Sequence, residues 1–170
     1  MNLDLIKKYY TVTDDPAKAD FAMMFIKSPV SNGYSRADRE AGGNGYVPIS
    51  LQLKDYTATE ARAQSMAAGD PVIDPTITNR SYLNKTSKSN SYPDLNTILD
   101  TKKAMNGKPV LVAITVSNPM VFGEFEEEVD AIVGEFGVQM EALLDIVSGK
   151  TEPSGLLPLQ MPIDMTTVEK

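Results

Sequence analysis

Apolar residues along this chain gather in a few continuous runs separated by long polar stretches. Asp20-Phe21-Ala22-Met23-Met24-Phe25-Ile26, Pro109-Val110-Leu111-Val112-Ala113-Ile114-Thr115-Val116 and the shorter Val129-Asp130-Ala131-Ile132-Val133-Gly134-Glu135-Phe136 show little alternation of apolar and polar positions. Strands buried on both faces of a parallel sheet read this way. Asp94 to Met105 sets Leu95, Ile98, Leu99 and Lys102 at helical spacing, and Asn106-Gly107 closes it. Gln139 to Val147 is amphipathic and ends at Gly149. Asp14-Asp15-Pro16 predicts a very short helix to Ala19, and Thr57 to Ala68 a longer one, capped by Thr57 or Thr59. Asn118 to Glu128 predicts a turn or short helix with an acidic face, and Leu156 to Pro162 an apolar extended tail. Alternating strands and helices imply an α/β fold: a three-layer, flavodoxin-like sandwich with a mostly parallel sheet and long loops. The long irregular stretches, Lys27 to about Lys54 and Pro71 to Tyr92, are where function is expected, because loops on a rigid scaffold carry it.

The 170 residues suit one domain, residues 1–170, and 42% apolar composition supplies a core. Formal net charge is −7 with no dense Lys/Arg run, so nucleic acid is not an expected partner. No basic amphipathic segment or long apolar span points to a membrane, and Met1 to Lys8 does not read as a signal peptide, Asp4 standing where an apolar core should begin. The chain has no Cys and no His. That removes disulfides, thiolate nucleophiles, Cys-zinc sites, imidazole bases and Ser-His-Asp triads, leaving carboxylates as the main acid/base groups. No cofactor is expected: Gly42-Gly43-Asn44-Gly45 lacks the spacing of a phosphate cradle. The run Glu124, Glu126, Glu127, Glu128 and Asp130 lacks the order of a Ca²⁺ loop and reads as a solvated face. Asn79-Arg80-Ser81 and Asn84-Lys85-Thr86 match glycosylation sequons, which count only in a eukaryotic secretory setting.

Toward the C-terminus stand Leu143-Leu144-Asp145-Ile146-Val147-Ser148-Gly149, then Pro153-Ser154-Gly155-Leu156-Leu157-Pro158 and Met161-Pro162. Upstream come Ala19-Asp20-Phe21-Ala22, Gly107-Lys108-Pro109-Val110-Leu111-Val112, Ser117-Asn118-Pro119-Met120 and Val129-Asp130-Ala131-Ile132. This ordered set resembles the later part of the second, α/β domain of family 3 glycoside hydrolases, with Leu156 and Asn118 where that pattern has Arg. The resemblance implies carbohydrate hydrolysis of the β-glucosidase type. It implies as partners a sugar and a barrel domain carrying the nucleophile, which this chain does not contain, and the chain alone is expected to be inactive. Resembled enzymes are often periplasmic or secreted. The alternative is a non-catalytic sugar-binding or assembly domain. A face that once met a barrel, and the apolar tail, predict a possible homodimer.

In the resembled family the second catalytic carboxylate often lies on the loop after the strand equivalent to Asp20–Ile26. Retaining glycosidases need two such groups, one attacking and one protonating the leaving oxygen. By its place before the glycine-rich turn, Glu40 is the candidate general acid/base and Asp38 the second choice. Tyr34, Arg36, Asn44 and Tyr46 are candidates for binding the sugar. A solvated loop with locally paired charges is the competing reading.

Overall fold

In the computed structural model, residues 2–65, 76 and 78–169 are described. In chain order the elements are α1 (Leu3–Ile6), β1 (Ala22–Lys27), α2 (Arg36–Glu40), β2 (Tyr56–Thr57), β3 (Thr86–Ser87), α3 (Tyr92–Met105), β4 (Val110–Thr115), a 3₁₀ turn (Glu126–Glu128), β5 (Ala131–Glu135), α4 (Met140–Val147) and α5 (Met165–Glu169). The chain divides into two compact units. One comprises Met1–Ser28, Asp94–Pro119 and Phe125–Met161, the other Pro29–Pro93, Met120–Glu124 and Pro162–Lys170.

The first unit is an α/β layer structure around a parallel sheet of order β1-β4-β5. Ala22 to Lys27 pair with Val110 to Thr115, and Leu111 to Thr115 with Ala131 to Glu135. Central β4 buries Val110, Val112 and Ile114 completely, as its unbroken apolar run predicts. Strand β1 departs from expectation: among the described residues its one strand partner is β4, which puts it at the sheet edge, and Ala22 to Phe25 are only partly buried. Leu95 and Ile98 of α3 and Leu143 and Leu144 of α4 add to the core, so the helical spacing read in both segments holds.

Two charged side chains fix the strand starts. Lys108 Nζ donates to the carbonyls of Pro16, Ala17 and Ala19 at 3.1, 2.8 and 2.6 Å, tying the turn before β1 to the approach to β4. That turn is a single turn on the Asp15 carbonyl rather than the short helix expected there. Asp130 accepts from Val110 N at 2.8 Å and pairs with Lys102 at 2.7 Å, which holds its carboxyl below the usual range. Asp145, inside the Leu143-Leu144-Asp145-Ile146 motif, accepts from the Tyr9 hydroxyl at 2.7 Å and pairs with Lys150. Helix α4 closes at Gly149, whose φ of +73° suits glycine. An apolar cleft of about 750 Å³ opens in this unit, lined by Ile6, Tyr9, Tyr10, Phe21, Met23 and Met105 among others.

The second unit is mostly loop. Its regular pairing is the antiparallel β2–β3 ladder, with Tyr56 opposite Ser87 and Thr57 opposite Thr86. The helix expected from Thr57 does not form: the chain enters β2 and then runs as bends and irregular backbone to Ser65, while residues 66–68 lie outside those described. The Ala-rich composition favours helix, but Tyr56 and Thr57 are spent on the ladder and Ala58 is fully buried, donating its N–H to the Lys85 carbonyl. The expected acidic solvated face is true of Glu126 to Glu128, which belong to the first unit and are exposed, and not of Glu124 in the second. The Glu124 carboxylate is partly buried and accepts from the backbone of Leu53 and of Lys54, so it closes a loop. Burial pushes this carboxyl up, against the pull of those two donors. Helix α5, which no periodicity announces, buries Met165, whose Sδ accepts from Leu51 N at 3.3 Å. Among the described residues no helix is long and apolar enough to cross a membrane.

Ile114→Ala should lower stability by about 2–5 kcal/mol, because the fully buried central strand cannot collapse onto the cavity. Leu156→Ala, at a side chain 94% exposed, should change it by less than about 0.5 kcal/mol. Urea unfolding midpoints of the two variants check both values.

Candidate functional site

All six candidate residues lie on one closed loop of the second unit, between Gly33 and Val47. Its ends are zipped: Ser35 N donates to Gly45 O at 2.7 Å, Val47 N to Gly33 O at 3.1 Å, and Tyr34 and Tyr46 form an antiparallel bridge. Ser35 caps α2 through its hydroxyl, accepting from Asp38 N at 3.2 Å. A five-residue helix cannot persist on its own. It is held because Asp38 reaches across the loop.

Asp38 Oδ2 accepts from Gly45 N at 2.8 Å and from Lys85 Nζ at 2.6 Å. Two glycines make room for this. A Cβ on Gly43 would lie 2.2 Å from Asp38 Oδ2, and one on Gly45 would lie 2.4 Å from the Tyr34 ring. Gly45 also has φ +82°, which disfavours any side chain. Asn44 is equally committed. Its Nδ2 donates to the carbonyls of Asn79 and Ser81 at 2.8 and 2.9 Å, and its Oδ1 accepts from Tyr46 N at 3.0 Å and Lys85 Nζ at 2.5 Å.

Tyr34 and Tyr46 meet edge to face with centroids 6.1 Å apart, and the Arg80 guanidinium lies 5.4 Å from the Tyr46 ring centroid. Arg36 and Glu40 lie one helical turn apart and pair at 2.8 Å, with side chains 88% and 64% exposed. Against this, Asp38 and Lys85 are only 25% and 22% exposed. The loop thus has a partly buried charged clamp and a solvent-facing carboxylate on one short helix.

The Lys85 ammonium, with the Gly45 N–H as a second donor, holds the Asp38 carboxyl below the usual range, and burial opposes this only in part. Such a group is an anion at neutral pH and a poor proton donor. Lys85, Asn79, Arg80 and Ser81 come from a stretch without periodicity, where no pattern marks them as parts of the site. Asn79, one of the two sequon asparagines, has its Nδ2 turned to the Ala63 carbonyl and its Oδ1 to the N–H groups of Ser65 and Ser81. Among the described residues no group of three or more His, Cys, Asp or Glu could hold a metal.

A parallel α/β layer joined in sequence to a long carboxylate-bearing loop is an architecture whose chemistry is set by the loop. The model of the glycosyl hydrolase family 3 C-terminal domain matches residues 7–170, and the chain belongs to that family. It is 36% identical over 74 residues to beta-glucosidase C of Emericella nidulans. It is also 36% identical over 75 residues to probable beta-glucosidase C of Aspergillus flavus and to that of Aspergillus oryzae. Each match covers 41% of this chain and 12% of the relative, so the chain aligns with only a small part of those proteins. No solved structure matches it.

Asp38 ionises more readily folded than unfolded, so its contribution to stability is complete above the unfolded carboxyl value near 3.9 and is lost as pH falls through the lower folded value. The stability difference between the protein and Asp38→Asn should therefore be constant from about pH 5 to 7 and shrink below about pH 4. Urea melts of both proteins across this range measure it.

Proposed function

We propose that this chain acts as the C-terminal α/β domain of a β-glucosidase-like enzyme that cleaves O-glycosyl bonds. It works with a barrel domain that carries the nucleophile, forming one wall of the active site. Glu40 is the general acid/base. The observation that supports this assignment is the unequal treatment of the two neighbouring carboxylates: Asp38 is tied up by a partly buried Lys85 and by Gly45, whereas Glu40 projects from the same helix, 64% exposed, and its pair with Arg36 lies open to solvent screening.

In this reading the partner's carboxylate attacks the anomeric carbon while Glu40 gives its proton to the departing oxygen. Glu40 then takes a proton from the water that releases the sugar, as retaining enzymes require. Tyr34 and Tyr46 offer an aromatic edge and face to the sugar, and Arg36 offers a cation beside Glu40. Asn44 contributes by fixing the Tyr46 backbone, its amide being filled by the loop and by the Asn79 and Ser81 carbonyls. The non-catalytic alternative, a sugar-binding or assembly domain, uses the same aromatic pair without Glu40.

The chain alone should turn over aryl β-glucosides no faster than background, since a lone acid contributes only about 10²–10⁴-fold and cannot form the glycosyl-enzyme. With a family 3 barrel domain that restores turnover, Glu40→Gln should cut the rate strongly for poor leaving groups and much less for activated ones. Azide should rescue the second step. Unchanged kinetics on both substrate types would remove Glu40 from the mechanism, and sugar binding that survives in the chain alone would favour the non-catalytic alternative.

A further inference from the structure

Lys85 carries more of the candidate loop than its place in the sequence suggests. Its own backbone is fixed: the Lys85 carbonyl accepts from Ala58 N at 3.1 Å, and the preceding Asn84 donates its N–H to the Ala58 carbonyl at 2.8 Å. Ala58 is fully buried, and Asn84 takes the left-handed backbone, φ +62°, that turns the chain there. From this base the ammonium reaches two acceptors on the loop, Asp38 Oδ2 at 2.6 Å and Asn44 Oδ1 at 2.5 Å.

Each acceptor also binds a backbone amide on the loop's returning arm. Asp38 takes Gly45 N and Asn44 takes Tyr46 N. One cation therefore gathers the helix that bears Glu40 and the arm that bears Tyr46. Asp38 precedes Glu40 by two residues on α2, so its anchoring fixes the rotation of the helix about its own axis. A charge-assisted bond to a carboxylate is stronger than a neutral one, and partial burial screens this pair less than an exposed pair.

We propose that Lys85 is a positioning residue of the active site, its ammonium clamping Asp38 and Asn44 together so that Glu40 and Tyr46 are presented in one fixed geometry. This rests on the reading of Glu40 as acid/base. Lys85 touches neither the sugar nor the reacting atoms; it acts through Glu40. Removing the ammonium leaves Asp38 with the Gly45 N–H and lets α2 turn. A displacement on the order of 1 Å at a reacting group costs up to about 10²-fold in rate.

The test has two arms. In the chain itself, amide hydrogen exchange at Gly43 and Gly45 reads the clamp, since Gly45 N donates to the Asp38 carboxylate and Gly43 N to the Asp38 carbonyl. Lys85→Met should speed exchange at both while core strand β4 keeps its protection. Lys85→Arg, which keeps the charge but replaces a compact ammonium with a planar fork, should fall between. With the barrel domain, Lys85→Met should lower kcat by about 10–100-fold on poor leaving groups, with KM little changed. The Lys85→Met/Glu40→Gln double variant should be no slower than Glu40→Gln alone. Unchanged exchange in Lys85→Met would overturn the clamp. Fully additive rate losses would overturn action through Glu40. If Glu40→Gln is kinetically silent while Lys85→Met frees the two glycines, the acid/base reading fails and the positioning role falls with it, leaving only a loop brace. Should Lys85→Met fail to fold, Lys85→Arg carries both arms: wild-type exchange and wild-type kcat in it would refute the proposal.

Discussion

Strand β4 is the constraint on which the first unit depends. It has a hydrogen-bonded neighbour on each side, β1 and β5, and buries three side chains completely. A strand in that position must satisfy every backbone polar group by pairing, because water cannot reach it. Its register is accordingly held from outside as well as along the ladder. Lys108, just before it, grips three carbonyls ahead of β1, and Asp130, just before β5, accepts the first amide of β4. Slippage by one residue would exchange the side chains between the two packed faces and break both charged contacts.

The second unit solves a different problem. It has little sheet and short helices, so its loops are ordered by side chains that act as substitute secondary structure. Asp38, Asn44, Asn79 and Glu124 each bond backbone groups distant in sequence. Polar side chains used this way stabilise less per residue than a core, yet they fix direction well. A reactive carboxylate, the role proposed for Glu40, needs fixed direction more than bulk stability. The solvent exposure of Glu40 is compatible with that role, because Asp38, two residues earlier, anchors the helix.

Strands β1, β4 and β5 and helices α3 and α4 were legible because apolar runs and 3.6-residue spacing report burial directly. The order of family-like segments from Ala19 to Pro162 likewise placed the chain. Edge status was not legible in β1, since Met23, Met24 and Phe25 look the same beside one neighbour as between two. The helix read from Thr57 was lost to a ladder with residues some thirty positions away. Of the site, Ser35 and the glycine turn could have announced α2 and its closure, whereas Lys85 could not: a lysine in a polar stretch carries no periodicity. Only three-dimensional proximity distinguishes it from any solvated charge.

The two units are interleaved along the chain, and this has a consequence for synthesis. The second unit opens at Pro29 but is completed by Met120–Glu124 and Pro162–Lys170, and the first resumes at Asp94 and again at Phe125. Neither can be cut out as one contiguous peptide. As the ribosome delivers the chain, β1 emerges long before its partner β4, and the loop around Leu51 and Leu53 waits for Glu124 and then for Met165. Domains that close early can fold while translation continues. Here β1 stays unpaired until β4 has emerged, and the loop around Leu51 stays open until Met165 has left the tunnel, so the second unit begins early and closes late.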